Sequence, residues 1–250
     1  MVRRLRAYGV DPARIELTGF PLPDSLVGGP EAPILRQNLL RRLARLDPTH
    51  SFRNSYAADL AHLGPLPDTN EPPHLVFAVG GSGAQAELSA SFLPSLRPLL
   101  ERRRLRLTLV AGVRDAVKTR FEDELLRASL KKHLGRGVNI LHEPVLDNYF
   151  ERFDALLADT DILWTKPSEL VFYAALGIPL LLAPPVGTHE SYNLRWAREN
   201  GAGLKQRDAR VVGDRLLEHL HDGNLASAAW AGYRRLPHDG LYRIIERVRG

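Results

Sequence analysis

A glycine-rich turn between an apolar segment and a helical pattern is the first feature of this sequence that could do chemistry. Residues 75–79 are apolar, Gly80-Gly81-Ser82-Gly83-Ala84-Gln85 follow, and a helical pattern runs from 87 to 100. Glycines let a backbone approach a phosphate closely, and a helix start offers unpaired N–H groups at the positive end of the helix dipole. The turn therefore predicts a diphosphate cradle, with a tight bend that binds nothing as the alternative.

Eight further polar residues follow the later apolar segments. They are His142, Glu143, Lys166, Ser168, Glu169, His189, Glu190 and Asn193. Lys166 either adds positive charge beside a bound anion or is an ordinary surface lysine, and the sequence favours neither. Glu190 either accepts hydrogen bonds from a ligand or complements the dipole of the helix that it begins. Asn193 lies one helical turn later and is expected to face the same pocket.

Alternating strands and helices must position these residues. Apolar segments at 75–79, 105–110, 138–141, 161–164 and 179–183 are each followed by a helical pattern. Five such units predict a parallel sheet with helices on both faces, because parallel strands need crossover connections. The strand ends that carry the polar residues would meet at one edge, where ligands of such folds bind. We therefore expect a Rossmann-like α/β domain with its site at that edge.

Several helices of this domain have expected bounds. Pro94 and Pro98 are expected to kink or break the helix that follows the glycine-rich turn. The helix after the second strand is expected to run from Asp115 to Leu134, and the one after the third strand from Tyr149 to Ala158. Helices at 169–176 and 190–200 follow the last two strands, and three more are predicted at 211–221, 224–235 and 240–248.

The residues before 74 have a different character from the rest of the chain. A helix is predicted at 2–9, a short strand at 15–18, and further helices at 31–46 and 52–63. The proline-rich segment 64–73 reads as a linker. The predicted domains are an opening segment that reads as the tail of a preceding unit (1–23), a helical insertion with its linker (24–73) and the main domain (74–250).

Composition limits the classes of partner. The net charge is +5 and comes mainly from arginine, cysteine is absent, and no apolar run approaches the length of a membrane span. We expect a cytoplasmic location and no structural disulfide or thiol-bound metal. Arginine runs at 41–45 and 102–104 lack interleaved aromatic residues, which argues against nucleic acid. Contact with an anionic membrane surface stays open.

Several segments resemble one family of glycosyltransferases, which includes the peptidoglycan N-acetylglucosaminyltransferase and the galactolipid and glucolipid synthases. Residues 80–85 resemble its glycine-rich donor loop. The family also has a strand end that leads into a helix closed by a Gly-apolar-Pro turn. Two parts of this sequence are similar to it, Thr165-Lys166-Pro167-Ser168 and residues 174–179. The family's Gly-Gln-Glu loop is similar to Gly187-Thr188-His189-Glu190, and its downstream asparagine to Asn193. Its next glycine turn is similar to residues 199–203. The interdomain hinge of the family is similar to residues 17–21.

The resemblance implies the C-terminal, donor-binding half of a GT-B glycosyltransferase that inverts the anomeric carbon of a UDP-sugar without a metal or other cofactor. It implies that residues 82–85 hold the diphosphate and that His189, Glu190 and Asn193 contact the sugar. His142 and Glu143 would recognise the uracil edge through backbone groups. The acceptor site and the catalytic base would belong to an N-terminal half, a domain or subunit that this sequence does not include.

One position departs from the family. The acid that grips the ribose hydroxyls, five residues before Gly177, is replaced here by Phe172, and Glu169 is the candidate substitute. The departure keeps two alternatives open. One is an epimerase or hydrolase acting on a nucleotide sugar, since related folds host that chemistry, and the other is a non-catalytic domain that has lost donor binding.

Overall fold

A computed structural model describes residues 2–78 and 86–249 of the chain. Its centre is a parallel sheet of six strands in the order β3-β2-β1-β4-β5-β6. The strands are β1 (His74–Ala78), β2 (Arg106–Gly112), β3 (Val138–His142), β4 (Ile162–Thr165), β5 (Leu180–Leu182) and β6 (Gly203–Lys205). The predicted Rossmann-like sheet is confirmed. Five strands were expected, and the sixth, Gly203–Lys205, escaped prediction because three residues are too few to show a strand pattern.

Twelve helices surround the sheet in the described part of the chain. They are α1 (Val2–Ala7), α2 (Asp24–Val27), α3 (Pro33–Leu46), α4 (Ser51–Ser55), α5 (Ala57–Leu60), α6 (Leu88–Glu101), α7 (Asp115–Arg127), α8 (Leu146–Asp159), α9 (Thr188–Glu199), α10 (Val212–His221), α11 (Asn224–Arg235) and α12 (Gly240–Arg249). Glu169–Leu176 forms a 3-10 helix between β4 and β5.

Two hydrophobic cores lie on opposite faces of the sheet, and β1 contributes to both. Leu75 and Phe77 point into one core with α6, α7 and α10, and Val76 and Ala78 point into the other with α8 and α9. Every residue of β1 is buried. Strands covered on both faces read as continuous apolar runs, which is why the sequence pattern located them.

Helix α3 packs into both of these cores. Leu39 and Leu43 belong to one core and Leu35 to the other, and all three are fully buried. Between them the buried Arg42 donates from Nε to the Thr160 carbonyl (2.7 Å) and from Nη1 to the Leu176 carbonyl (2.9 Å). Segment 24–73 therefore shares the cores of the sheet, and its boundaries at 23 and 73 stay a prediction.

Several local predictions are wrong. The helix predicted at 52–63 is divided into α4 and α5, which lie on either side of Tyr56. Residues 15–18 form no strand, and Leu17 is exposed without a neighbouring strand to pair with. Helix α7 ends at Arg127 rather than at 134, and Ser129 then takes a φ of 59°, which a helix cannot continue through. Of the predicted kink or break in α6, the break is absent: the helix continues through Pro94 and Pro98, which face solvent, where water can satisfy the carbonyl groups that lose a donor.

Candidate functional site

The carboxyl ends of the parallel strands meet at one edge of the sheet. Thr165, the last residue of β4, donates its hydroxyl to the Ala78 carbonyl at the end of β1 (3.0 Å), so the first and fourth strands end together. The predicted phosphate cradle, Gly80–Gln85, lies outside the described residues. The chain is described again from Ala86, two residues before α6 begins.

An ion pair joins the loop after β4 to the helix after β5. Lys166 Nζ lies 3.1 Å from Glu190 Oε1, and Glu190 is only 3% exposed. The Val186 N–H donates to Glu190 Oε2 (2.8 Å). Burial alone would raise the pKa of Glu190, but the hydrogen bonds from Val186 and Lys166 outweigh it and lower the pKa. Glu190 is therefore an ionised carboxylate whose negative charge faces the lysine.

Asn193 connects the same two segments through its amide group. Its Nδ2 donates to the carbonyl groups of Pro167 (3.0 Å) and Ser168 (3.3 Å). The buried Ser168 hydroxyl has no hydrogen-bond partner within residues 2–78 and 86–249. The His189 side chain is exposed, and its Nε2 lies 4.0 Å from Glu190 Oε1. The structure thus brings together five predicted residues: Lys166, Ser168, His189, Glu190 and Asn193.

His142 and Glu143 belong to a separate place. His142 is the last residue of β3 and Glu143 follows it, and β2 and β1 separate β3 from β4 in the sheet. His142 Nε2 lies 3.3 Å from Asp115 Oδ1, and Arg152 Nη1 lies 3.2 Å from Glu143 Oε2. These partners belong to α7 and α8, so the structure does not bring the two residues into the Lys166 cluster.

An aromatic cavity at the same edge was not predicted. Its volume is about 330 Å³, and its walls include Tyr149, Phe150 and Phe153 of α8, with Tyr173 and Glu169 of the 3-10 helix. The rings of Tyr149 and Phe153 stack at 5.6 Å, and burial raises the pKa of both Tyr149 and Tyr173 to about 12. Three aromatic residues within five positions, in the helix that follows β3, were the signal that the sequence offered.

Phe172 and Glu169, the two residues that bear on the missing acid, have different surroundings. The Phe172 ring stacks on Phe20 with centroids 4.5 Å apart and meets the Trp196 ring edge-on at 5.6 Å. Phe172 is therefore occupied in an apolar contact with the segment before α2. Glu169 is exposed at the start of the 3-10 helix and lines the aromatic cavity.

No group of three or more histidine and acidic side chains in the described ranges is placed to hold a metal ion. Among the helices of the described chain, none has both the length and the apolar character that crossing a membrane requires.

Solved structures define the class of fold. The fold is similar to that of a protein assigned as a UDP-N-acetylglucosamine 2-epimerase from Listeria monocytogenes, with a TM-score of 0.59 at 17% identity over 99% of this chain and 56% of that one. It is also similar to the UDP-GlcNAc 2-epimerase of Neisseria meningitidis, with a TM-score of 0.54 at 11% identity over 99% and 58%. WaaG, a glycosyltransferase of lipopolysaccharide biosynthesis, gives 0.50 at 16% identity over 98% and 59%. The chain therefore has the Rossmann-like fold that these glycosyltransferases and epimerases share.

The sequence comparison is more specific. No family model matches the chain. The chain is 28% identical over 229 residues to the UDP-N-acetylglucosamine–N-acetylmuramyl-(pentapeptide) pyrophosphoryl-undecaprenol N-acetylglucosamine transferase of Desulforudis audaxviator. The match covers 90% of this chain and 50% of that enzyme, so the chain spans about half the length of its relative. The resemblance predicted from the glycine-rich and Gly-Thr-His-Glu motifs is confirmed by this similarity.

Proposed function

We propose that this chain binds a nucleotide-diphosphate sugar and is the donor-binding part of an inverting glycosyltransferase that uses a UDP-sugar. The observation that carries the proposal is the convergence of Lys166, Glu190 and Asn193 at the carboxyl ends of β4 and β5. The similarity to a transferase whose name specifies a UDP-sugar supports transfer over the other chemistries of this fold.

The diphosphate would be held without a metal. Inverting transfer places additional negative charge on the departing diphosphate, and pre-oriented N–H groups stabilise such charge. The backbone of residues 82–85 and the Lys166 ammonium group are the donors for that task. When a phosphate attracts Lys166, Glu190 loses its counter-charge and becomes free to accept hydrogen bonds from the sugar hydroxyls. His189, which is exposed beside Glu190, would contact the same sugar.

The nucleoside would occupy the aromatic cavity. A volume of about 330 Å³ is of the size that a base and ribose need, and aromatic walls suit a planar ring. Glu169 at the wall of this cavity would accept hydrogen bonds from the ribose hydroxyls, the role that Phe172 cannot perform. The backbone groups of His142 and Glu143 remain candidates for the edge of the base.

The acceptor site and the catalytic base would come from a further domain or subunit, because the relative has twice the length that this chain covers. A cytoplasmic location peripheral to the membrane is supported by the lack of cysteine and by exposed arginines beside Val248 on α12 and on α1. Nucleic acid is not expected as a partner.

Calorimetry with UDP tests the donor site. We expect UDP to bind in the presence of a metal chelator, and ADP and GDP to bind more weakly.

Gly83→Val should abolish binding while the circular dichroism spectrum is retained, because its side chain would stand where the backbone approaches the phosphate. If no nucleoside diphosphate binds at millimolar concentration, the donor-site proposal is wrong.

Glu169 can be tested through the ribose hydroxyl itself. We expect UDP to bind the unmodified chain about tenfold more tightly than 2′-deoxy-UDP, since a hydrogen bond to a charged group contributes ~1.5–3 kcal/mol. In Glu169→Gln this preference should shrink, while 2′-deoxy-UDP binds as before. Glu151→Gln is the control, because Glu151 is an exposed acid of α8 that does not line the cavity. An unchanged preference in Glu169→Gln would remove Glu169 from the ribose site.

Products distinguish transfer from the alternatives. The chain is incubated with UDP-GlcNAc together with the acceptor half of the protein, and the sugar products are separated. A glycosylated acceptor with UDP released supports the transferase. Free ManNAc or UDP-ManNAc would instead indicate epimerase chemistry, and tight UDP binding with no turnover would indicate a non-catalytic domain.

A further inference from the structure

A second cavity lies at the opposite edge of the sheet from the candidate donor site. Its volume is about 690 Å³, about twice that of the aromatic cavity. Pro72 and Pro73, which precede β1, and Arg103 and Arg104, which precede β2, form part of its wall. The cavity is therefore at the amino ends of the strands, and the donor site does not use it.

The charges on its wall leave two arginines without a partner. Arg45 is paired with Glu71, and Arg53 Nε lies 3.3 Å from Asp47 Oδ2, so these pairs neutralise two of the lining acids. Neither Arg103 nor Arg104 makes an ion pair or a side-chain hydrogen bond with any residue that the structure describes, and both are exposed. The remaining acid of the wall, Asp68, is also exposed. The cavity thus offers two guanidinium groups, adjacent in sequence, to an anion.

The backbone at this cavity is unusual. Arg103 follows the end of α6 with a φ of 54°, where the Arg104 N–H donates to the Leu99 carbonyl (2.8 Å) and the Arg103 N–H to the Leu100 carbonyl (3.1 Å). Glycine is the usual residue in this left-handed position after a helix. His50, which also lines the cavity, has a φ of 62°. Arg103 and His50 thus line the cavity from backbone positions that residues other than glycine seldom adopt, which fixes where each side chain leaves the main chain.

We propose that this cavity binds the phosphate group of a small phosphorylated ligand, with Arg103 and Arg104 as its principal donors. Guanidinium groups form paired hydrogen bonds with phosphate oxygens, which makes arginine the suitable residue for this ligand. The volume admits a ligand well beyond the size of phosphate alone. The site is additional to the donor site and does not depend on it.

Nuclear magnetic resonance with inorganic phosphate tests the site. We expect a saturable titration that shifts the backbone amide signals of His50, Arg103 and Arg104, and that persists in the presence of saturating UDP. Arg103→Gly should weaken this binding about tenfold or more, because a charged hydrogen-bond donor is lost. The same variant should melt at an unchanged or higher temperature, since glycine favours the left-handed conformation. Weaker binding in a fold of equal stability excludes a merely structural role.

Arg102→Gln is the matched control, because Arg102 is exposed on the same turn and does not line the cavity. It should bind phosphate as the unmodified chain does. The proposal is overturned if Arg103→Gly binds phosphate normally, or if Arg102→Gln weakens binding equally, which would indicate bulk charge. Sedimentation with phosphatidylcholine vesicles containing phosphatidic acid identifies the source: loss of sedimentation in Arg103→Gly indicates a lipid phosphate, and no sedimentation of the unmodified chain indicates a soluble one.

Discussion

Charged side chains at the two edges of the sheet are arranged in opposite ways. At the amino edge, Asp159 accepts from Arg45 (2.8 Å) and Arg106 (2.6 Å) and lies 3.2 Å from His74 Nδ1. Asp161 next to it accepts the His74 N–H (2.8 Å). At the carboxyl ends of β4 and β5, the Lys166–Glu190 ion pair stands beside the Ser168 hydroxyl, which has no partner in the part of the chain that the structure describes, and an open aromatic cavity lies at the same edge.

The difference separates two carboxylates whose partners hold the fold, Asp159 and Asp161, from an ion pair that can open to a ligand, Lys166–Glu190. The network of Asp159 and Asp161 ties α3, α8 and β1 together, and it is separate from Arg103 and Arg104 at the same edge, which make no ion pair with any residue that the structure describes. At the carboxyl edge, a phosphate can replace the Glu190 carboxylate as the partner of Lys166. Buried charge alone is therefore a poor guide to function here, and the pairing of each charge is the better one.

Arg42→Met should produce the largest change and should leave donor binding intact. Two buried carbonyl groups, of Thr160 and Leu176, would lose their donors, each at a cost of ~1–3 kcal/mol, so we expect a loss of about 3 kcal/mol in the free energy of unfolding. Urea denaturation measures it. Arg41→Met, an exposed neighbour whose guanidinium donates to the Asn38 side chain, should cost less, about 1 kcal/mol. If folded Arg42→Met bound UDP more weakly than the unmodified chain, Arg42 would serve donor binding as well as the fold, and the contrast between the two edges would be wrong.

Lys166→Met should lose little stability but much of the affinity for UDP. Glu190 would keep the Val186 N–H, so we expect only about 1–2 kcal/mol of lost stability. UDP affinity should fall about tenfold or more, because a charge-assisted contact to the diphosphate is removed. Lys118→Met removes an exposed lysine 4.0 Å from Glu122 and should change neither quantity measurably. A Lys166→Met chain that loses stability but binds UDP normally would make this pair structural as well.

The pH dependence of stability should reveal two neighbouring carboxylates with opposite effects. Burial would raise the pKa of Asp159, but hydrogen bonds from His74, Arg106 and Arg45 lower it well below the usual range. Its ionised form therefore stabilises the fold above the unfolded-state pKa, and this contribution is lost as the pH falls. Burial raises the pKa of Asp161 to about 6 despite Arg45 and Arg42, so the fold gains relative stability as the pH falls through 6.

Urea unfolding between pH 7 and pH 3 measures both effects. Acidification should destabilise Asp159→Asn less steeply than the unmodified chain, and Asp161→Asn more steeply. Equal slopes in all three chains would show that neither carboxylate is linked to folding in this way.

The sequence by itself determined the alternation of strands and helices, because strands buried on both faces must be apolar throughout and helices repeat every 3.6 residues. The same regularity puts Lys166 and Glu190 at one edge of the sheet, since the carboxyl ends of parallel strands meet there. The motifs also identified the family resemblance, which a sequence relative supports. The short β6, by contrast, has no pattern of its own and exists because Leu180 to Leu182 offer it a partner.

Only the tertiary structure decided how the side chains are used. Tyr149, Phe150 and Phe153 look like an ordinary apolar face of α8 until the 3-10 helix brings Tyr173 and Glu169 opposite them. Arg42 looks like one more exposed arginine in a basic run, yet its position on α3 buries it against two carbonyl groups. Such pairings join residues far apart in the chain, so local pattern cannot determine them, and the packing of elements does.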